Sequence, residues 1–96
     1  MKIKTSELEG AALDWAVAKV VGVDVSSTSI PIFCPSTNWS QGGPLIERYY
    51  IDIESGPWSA YYGGQTMHGD SPLIAACRAI VAAKLGDVVE VPEELA

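Results

Sequence analysis

Trp39 stands in the stretch Ser36-Thr37-Asn38-Trp39-Ser40-Gln41-Gly42-Gly43-Pro44, one indole among amide and hydroxyl side chains. An indole offers a flat face for stacking, and Asn38 and Gln41 each carry donor and acceptor edges. Gly42 and Gly43 would let main-chain amides approach a bound group closely. This is the composition of a pocket for a planar polar ligand such as a nucleotide. Arg48 or Arg78 would meet its phosphate. Each residue also has a plainer structural reading. Trp39 would plug a small core while its neighbours satisfy loop backbone. Glu47-Arg48 would be an exposed surface pair. Arg78, one turn after Ile74 on an Ala-rich segment, would snorkel or pair with Asp14, and the ion pair ranks ahead of ligand contact.

Catalytic signatures are otherwise missing. His68 is the single histidine, which excludes multi-histidine metal sites, and with Asp70 it makes only a sparse acid–base pair. Cys77 falls on the apolar stripe of a helix, where a packed thiol is the default, and Cys34 lies between Phe33 and Pro35. No Walker loop, GxGxxG or GxSxG pattern occurs. The sequence therefore assigns no catalytic residue, no metal ligand and no cofactor, and it leans away from an enzyme.

These residues must be positioned by a small set of elements. An N-terminal extended segment over residues 1–8 leads to a helix at about 9–21, with Leu8, Ala12, Trp15, Ala16 and Val20 on one face and Gly22 as the stop. Ser6 and Glu9 have capping-box spacing. Val23 to Phe33 is rich in β-formers, with Pro31 marking an edge or irregular strand. Residues 35–43 read as a loop, and Pro44 starts either a short helical turn or a strand. Residues 49–53 and 58–62 predict a hairpin across Glu54-Ser55-Gly56-Pro57; alternation sends Trp58 and Tyr62 one way and Tyr61 the other. Gly63-Gly64 and His68-Gly69-Asp70 bracket a second loop. Asp70-Ser71-Pro72 caps a second helix that runs to Leu85 before Gly86. Val88 to Val91 is extended, and residues 93–96 form a frayed tail. The expected architecture is α+β, two main helices packed on a small, mostly antiparallel sheet, as a single domain over residues 1–96.

Hydrophobic residues make up 48% of the 96-residue chain and charged residues 19%, a globular rather than a disordered balance. The apolar content leans on Ala and Val, so the core should be thin, and a homo-oligomer is expected to cover leftover apolar surface. Net charge is −6, and the six bases are scattered, so no phosphate-neutralising patch forms and nucleic-acid binding is not expected. Apolar runs are interrupted by Lys19, Arg78 and Lys84, which excludes a membrane span, and no secretory leader pattern opens the chain. Two distant cysteines without CxxC spacing fit free thiols in a reducing compartment.

The opening Lys4 to Lys19 (KTSELEGAALDWAVAK), the central Pro35 to Arg48 (PSTNWSQGGPLIER), and the closing Ser71 to Arg78 with Lys84 to Leu95 resemble the NinX family of small proteins from lambdoid phages and prophages. Residues 49–70 match that pattern least well. The resemblance implies a cytoplasmic setting in a bacterial host and a dispensable accessory role, and it carries no catalytic residues. Three functions are then weighed. The first is a non-enzymatic binder of a nucleotide-like molecule that sequesters a host-defence signal. The second is a protein-interaction module that inhibits or redirects a host protein through its acidic or aromatic surface. A small hydrolase or transferase stands third.

Overall fold

A computed structural model of the protein describes residues 1–23 and 33–95. In chain order it contains β1 (Lys2–Lys4), α1 (Gly10–Val21), α2 (Trp39–Arg48), β2 (Asp52–Glu54), β3 (Ser59–Tyr62), β4 (Gln65–His68), α3 (Pro72–Leu85) and β5 (Val88–Glu90), with 3₁₀ turns at Thr5–Glu7 and Glu93–Leu95. The class is α+β. The arrangement differs from the expected one: the described residues form three helices and two antiparallel sheets, β1-β5 and β2-β3-β4, in place of two helices on one sheet. The strand expected within residues 23–33 falls mostly outside the described residues.

The two long helices form where capping chemistry marks them. Ser71 caps α3, its Oγ accepting the Ile74 N–H at 3.1 Å, and Pro72 occupies the first turn, where a missing N–H costs nothing. Gly22 ends α1 at φ 82°, a left-handed conformation that glycine enters without a Cβ clash. The Ser6/Glu9 capping box does not form; Glu9 is the N-cap and makes no side-chain cap bond.

The core sits between α1, α3 and the inner faces of the sheets. Its large members are Leu8, Leu13, Val17, Ile80, Val81 and Val91, and alanines fill much of the rest, among them Ala12, Ala16, Ala76 and Ala79. Small side chains on both helices let α1 and α3 pack directly on one another. Trp15 and Trp58 supply aromatic area at the margin of this cluster, half-buried against it.

Helix α2 and strand β4 overturn two local expectations. Residues 39–48 are helical although residues 35–43 read as loop and Pro44 as the start of a short helical turn or a strand. Pro44 removes the bond to the Ser40 carbonyl, and Ser40 is exposed, so water can satisfy it. Residues 65–68, expected as loop, pair with β3 in the register Ser59↔His68, Ala60↔Met67, Tyr61↔Thr66 and Tyr62↔Gln65. The expected strand at 49–53 is shortened to Asp52–Glu54, because Tyr49 and Tyr50 close α2 instead.

Candidate functional site

The residues around Trp39 are organised by the start of α2. Asn38 is its N-cap, and its Oδ1 accepts the Ser40 N–H at 2.9 Å and the Ser40 hydroxyl at 2.6 Å. The Asn38 carbonyl accepts the Gln41 and Gly42 amides at 3.1 and 2.8 Å. Gln41 reaches back, its Oε1 accepting the Cys34 N–H at 2.6 Å. The polar groups that the sequence offered to a ligand thus tie loop 34–38 to the helix. Trp39 is 58% exposed, which removes the reading of it as a core plug. Its indole edge lies beside Gly43, where a Cβ would meet Cε3 at an ordinary 3.6 Å.

Gly42 has a packing reason of its own. A Cβ there would collide with the Pro35 carbonyl oxygen and come within 2.7 Å of Leu73 Cδ2. The close approach that Gly42 permits is to loop 34–38 and α3.

The two arginines are separated in role. Arg48 is exposed in the last turn of α2, its guanidinium carbon 5.3 Å from the Tyr49 ring centre. Arg78 is half-buried. Its Nε donates to the Leu8 carbonyl and its Nη1 to the His68 carbonyl, both at 2.8 Å. The expected ion pair with Asp14 is therefore replaced by two main-chain acceptors, which suit a planar fork of donors.

Asp14 is buried on α1 with a different partner: its Oδ1 accepts the Ser36 N–H at 2.9 Å. Burial raises the carboxyl above its ordinary value, and the Ser36 hydroxyl and then the Ser36 amide pull in the opposite direction with less effect. The Ser36 hydroxyl, buried beside it, has no well-formed hydrogen bond among the described residues. Cys77 is pushed up to about 12, by burial first and by the Asp14 charge second, so its thiol stays protonated and is a poor nucleophile.

A concave polar surface lies elsewhere, on the outer face of β2-β3-β4. The pairing Asp52↔Tyr61, Glu54↔Ser59 and Tyr61↔Thr66 puts these side chains on one face, while Ile53, Ala60 and Met67 point to the core. They line a hollow of about 320 Å³. Tyr61, on the central strand and 49% exposed, stands between Asp52 on one neighbour and Thr66 on the other. Neither Asp52 nor Glu54 has an ion-pair partner among the described residues. This set was not nominated from sequence, although the alternation separating Tyr61 from Trp58 and Tyr62 was the signal that could have found it.

Two residues before β2, Tyr50 is left-handed at φ 53° and 89% exposed. It occupies the position where a helix ordinarily ends on glycine: the Ile51 N–H bonds the Ile46 carbonyl at 3.0 Å and the Tyr50 N–H bonds the Glu47 carbonyl at 3.3 Å. A bulky side chain in this conformation is strained.

Among the described residues no group of three or more His, Cys, Asp and Glu side chains could hold a metal, and no helix is long and apolar enough to cross a membrane. Comparison with curated proteins finds no match. The family model described as bacteriophage P22 NinX, by contrast, matches residues 4–84, reaching from the end of β1 to the last turn of α3, and the chain belongs to that family.

Proposed function

We propose that this phage accessory protein is a non-enzymatic interaction module whose open sheet face receives a basic side chain of a host protein. The observation that carries this reading is the hollow in which Asp52 and Glu54 flank Tyr61. Unpaired carboxylates beside an exposed phenol ring suit a lysine or arginine, which can pair with the acids and lie over the ring. A net charge of −6 favours approach of a basic partner over distances of about a Debye length, ~10 Å. The exposed, strained Tyr50, two residues before Asp52, supports the same reading, because strain of this kind concentrates where a surface serves something other than stability.

A second reading, binding of a nucleotide-like host-defence signal at Trp39, is favoured by the exposure of its indole. It is weakened by the commitments of its neighbours. Asn38 Oδ1, Gln41 Oε1, and the Ser40, Gln41 and Gly42 amides all have partners within the fold, as does Arg78. A ligand there would have to displace those bonds, leaving stacking and Arg48 as its main attractions.

One titration separates the two. Amide chemical shifts are followed as the protein is mixed with short Arg- or Lys-containing peptides, and in parallel with a nucleotide panel. Saturable shifts centred on Asp52, Glu54, Tyr61 and Thr66, lost in Asp52→Asn/Glu54→Gln and weakened by salt, are the expected result. Saturable nucleotide shifts centred on Trp39 would transfer the function to the second reading. Silence towards every basic peptide would overturn the first.

A further inference from the structure

We infer that β5 is the seat of a symmetric dimer, in which two copies of this chain pair edge to edge about Val89. The argument starts from hydrogen-bond parity. Met1 and Val91 exchange both main-chain bonds at 2.9 Å, and the Thr5 N–H bonds the Asp87 carbonyl at 2.7 Å. In the register Lys2↔Glu90, Ile3↔Val89 and Lys4↔Val88, alternate residues therefore face β1 and face away from it. Val88 and Glu90 are the two that face away. Among the described residues no main-chain bond reaches them from that side.

An antiparallel copy placed by a two-fold axis at Val89 sets Val88 opposite Glu90 of the partner subunit, and the reverse. Each such pair exchanges two main-chain bonds, so all four outward donors and acceptors are satisfied at once. The result is a four-stranded sheet in the order β1-β5-β5-β1, with the two Val89 side chains adjacent across the axis.

The surroundings of this edge fit the same occupant. Trp15, Lys19, Leu85, Val88, Val89 and Glu90 line a hollow of about 240 Å³ along it. Leu85 and Val88 are 42% and 50% exposed, large apolar side chains left in water by a single copy. The hollow carries a cation and an anion, Lys19 and Glu90, so two copies meeting along this edge present complementary charges to one another. Glu90 Oε2 lies 3.2 Å from the Met1 amine, in an exposed pair that leaves the carboxylate room for a second cation. The opposite edge of the sheet is guarded. The same operation about Ile3 would set Lys2 against Lys4 of the second copy, two like charges directly opposed. The choice of edge thus follows from charge, and the surface is distinct from the acidic hollow of β2-β3-β4.

The test is sedimentation equilibrium of the full chain over a concentration series, with the fold of each variant checked by circular dichroism. The expected species has twice the 10.2 kDa chain mass. Val88→Pro deletes an N–H that no described residue uses, and should leave a folded monomer. Lys19→Glu should weaken the dimer more than about tenfold through like-charge opposition, and Lys19→Glu/Glu90→Lys should restore it. A wild-type chain that stays monomeric to millimolar concentration would overturn the inference. So would a dimer indifferent to Val88→Pro and to the charge swap.

Discussion

Asp14 accepts the Ser36 N–H at 2.9 Å in a buried site, joining α1 to the loop that leads into α2 across 22 residues of chain. One carboxylate thereby holds a main-chain segment that no regular ladder holds. The bond comes with an electrostatic cost, because burial favours the protonated form.

That cost gives a pH signature. The folded-state pKa of Asp14 is raised above 3.8, so the folded chain holds this proton more tightly than the unfolded chain. Its contribution is fully present below pH 3.8 and is lost as pH rises through the raised folded value. Asp14→Asn keeps the acceptor and adds a donor for the Ser36 hydroxyl. Its stability at neutral pH should equal or exceed that of the wild type, and this site's share of the pH dependence should vanish from urea titrations run at several pH values. Asp14→Ala strands the Ser36 amide and should cost about 1–3 kcal/mol.

Gly42 and Gly43 are neighbours with opposite tolerance. Gly42→Ala drives a methyl group into the Pro35 carbonyl and Leu73, and should cost about 1–3 kcal/mol, or more where the loop cannot yield. Gly43→Ala meets only Trp39 at contact distance and should gain up to about 1 kcal/mol from helix propensity. Thermal melts of the two single variants check the contrast; equal losses at both positions would refute it.

Tyr50 tests the separation of function from stability. Tyr50→Gly relieves the left-handed strain at the end of α2 and should stabilise the fold by about 1 kcal/mol. Should the exposed ring serve binding, the same variant binds basic peptides more weakly while melting at a higher temperature. Chemical denaturation and the amide-shift titration measure the two effects independently.

Arg78 joins the segment before α1 to the end of β4 through two carbonyls. Lysine supplies one rotatable ammonium in place of the fork, so Arg78→Lys should cost about 1.5–3 kcal/mol. Hydrogen exchange should quicken at both ends of the bridge, near Leu8 and His68. Exchange confined to one end would show that the two bonds act separately.

The thiols differ by burial. Cys77 is 2% exposed and held protonated, whereas Cys34 is half-buried in the loop before α2. A thiol reagent at pH 8 should modify at most one equivalent of folded protein and two after denaturation. Two rapid equivalents from the native state would contradict the packing of α3.

How much of this was legible in advance follows from which forces were local. Ser71 with Pro72, and the glycines at 22 and 86, act within one or two turns, so α1 and α3 could be placed from residue order alone. Period-two alternation separated Tyr61 from Trp58 and Tyr62 for the same reason. The family resemblance, carried by contiguous residues at both ends and the centre, was equally open to reading.

Other features depend on partners distant in the chain. Residues 39–48 carry two glycines and a proline, a composition that local propensity assigns to loop. They are helical with Leu45 buried in the core and Gly42 fitted against Pro35 and Leu73. Residues 65–68 become a strand only because β3 offers its edge. Arg78 passed over the expected carboxylate for two carbonyls, since the acceptors within reach of a side chain are set by how segments dock. Residue order alone determined the long helices, the N-cap of α3 and the glycine that ends each helix, the acidic balance and the family. The tertiary structure alone decided α2, the division into two sheets, the exposure of Trp39 and the hollow around Tyr61, because each depends on contacts between segments that local chemistry does not bring together.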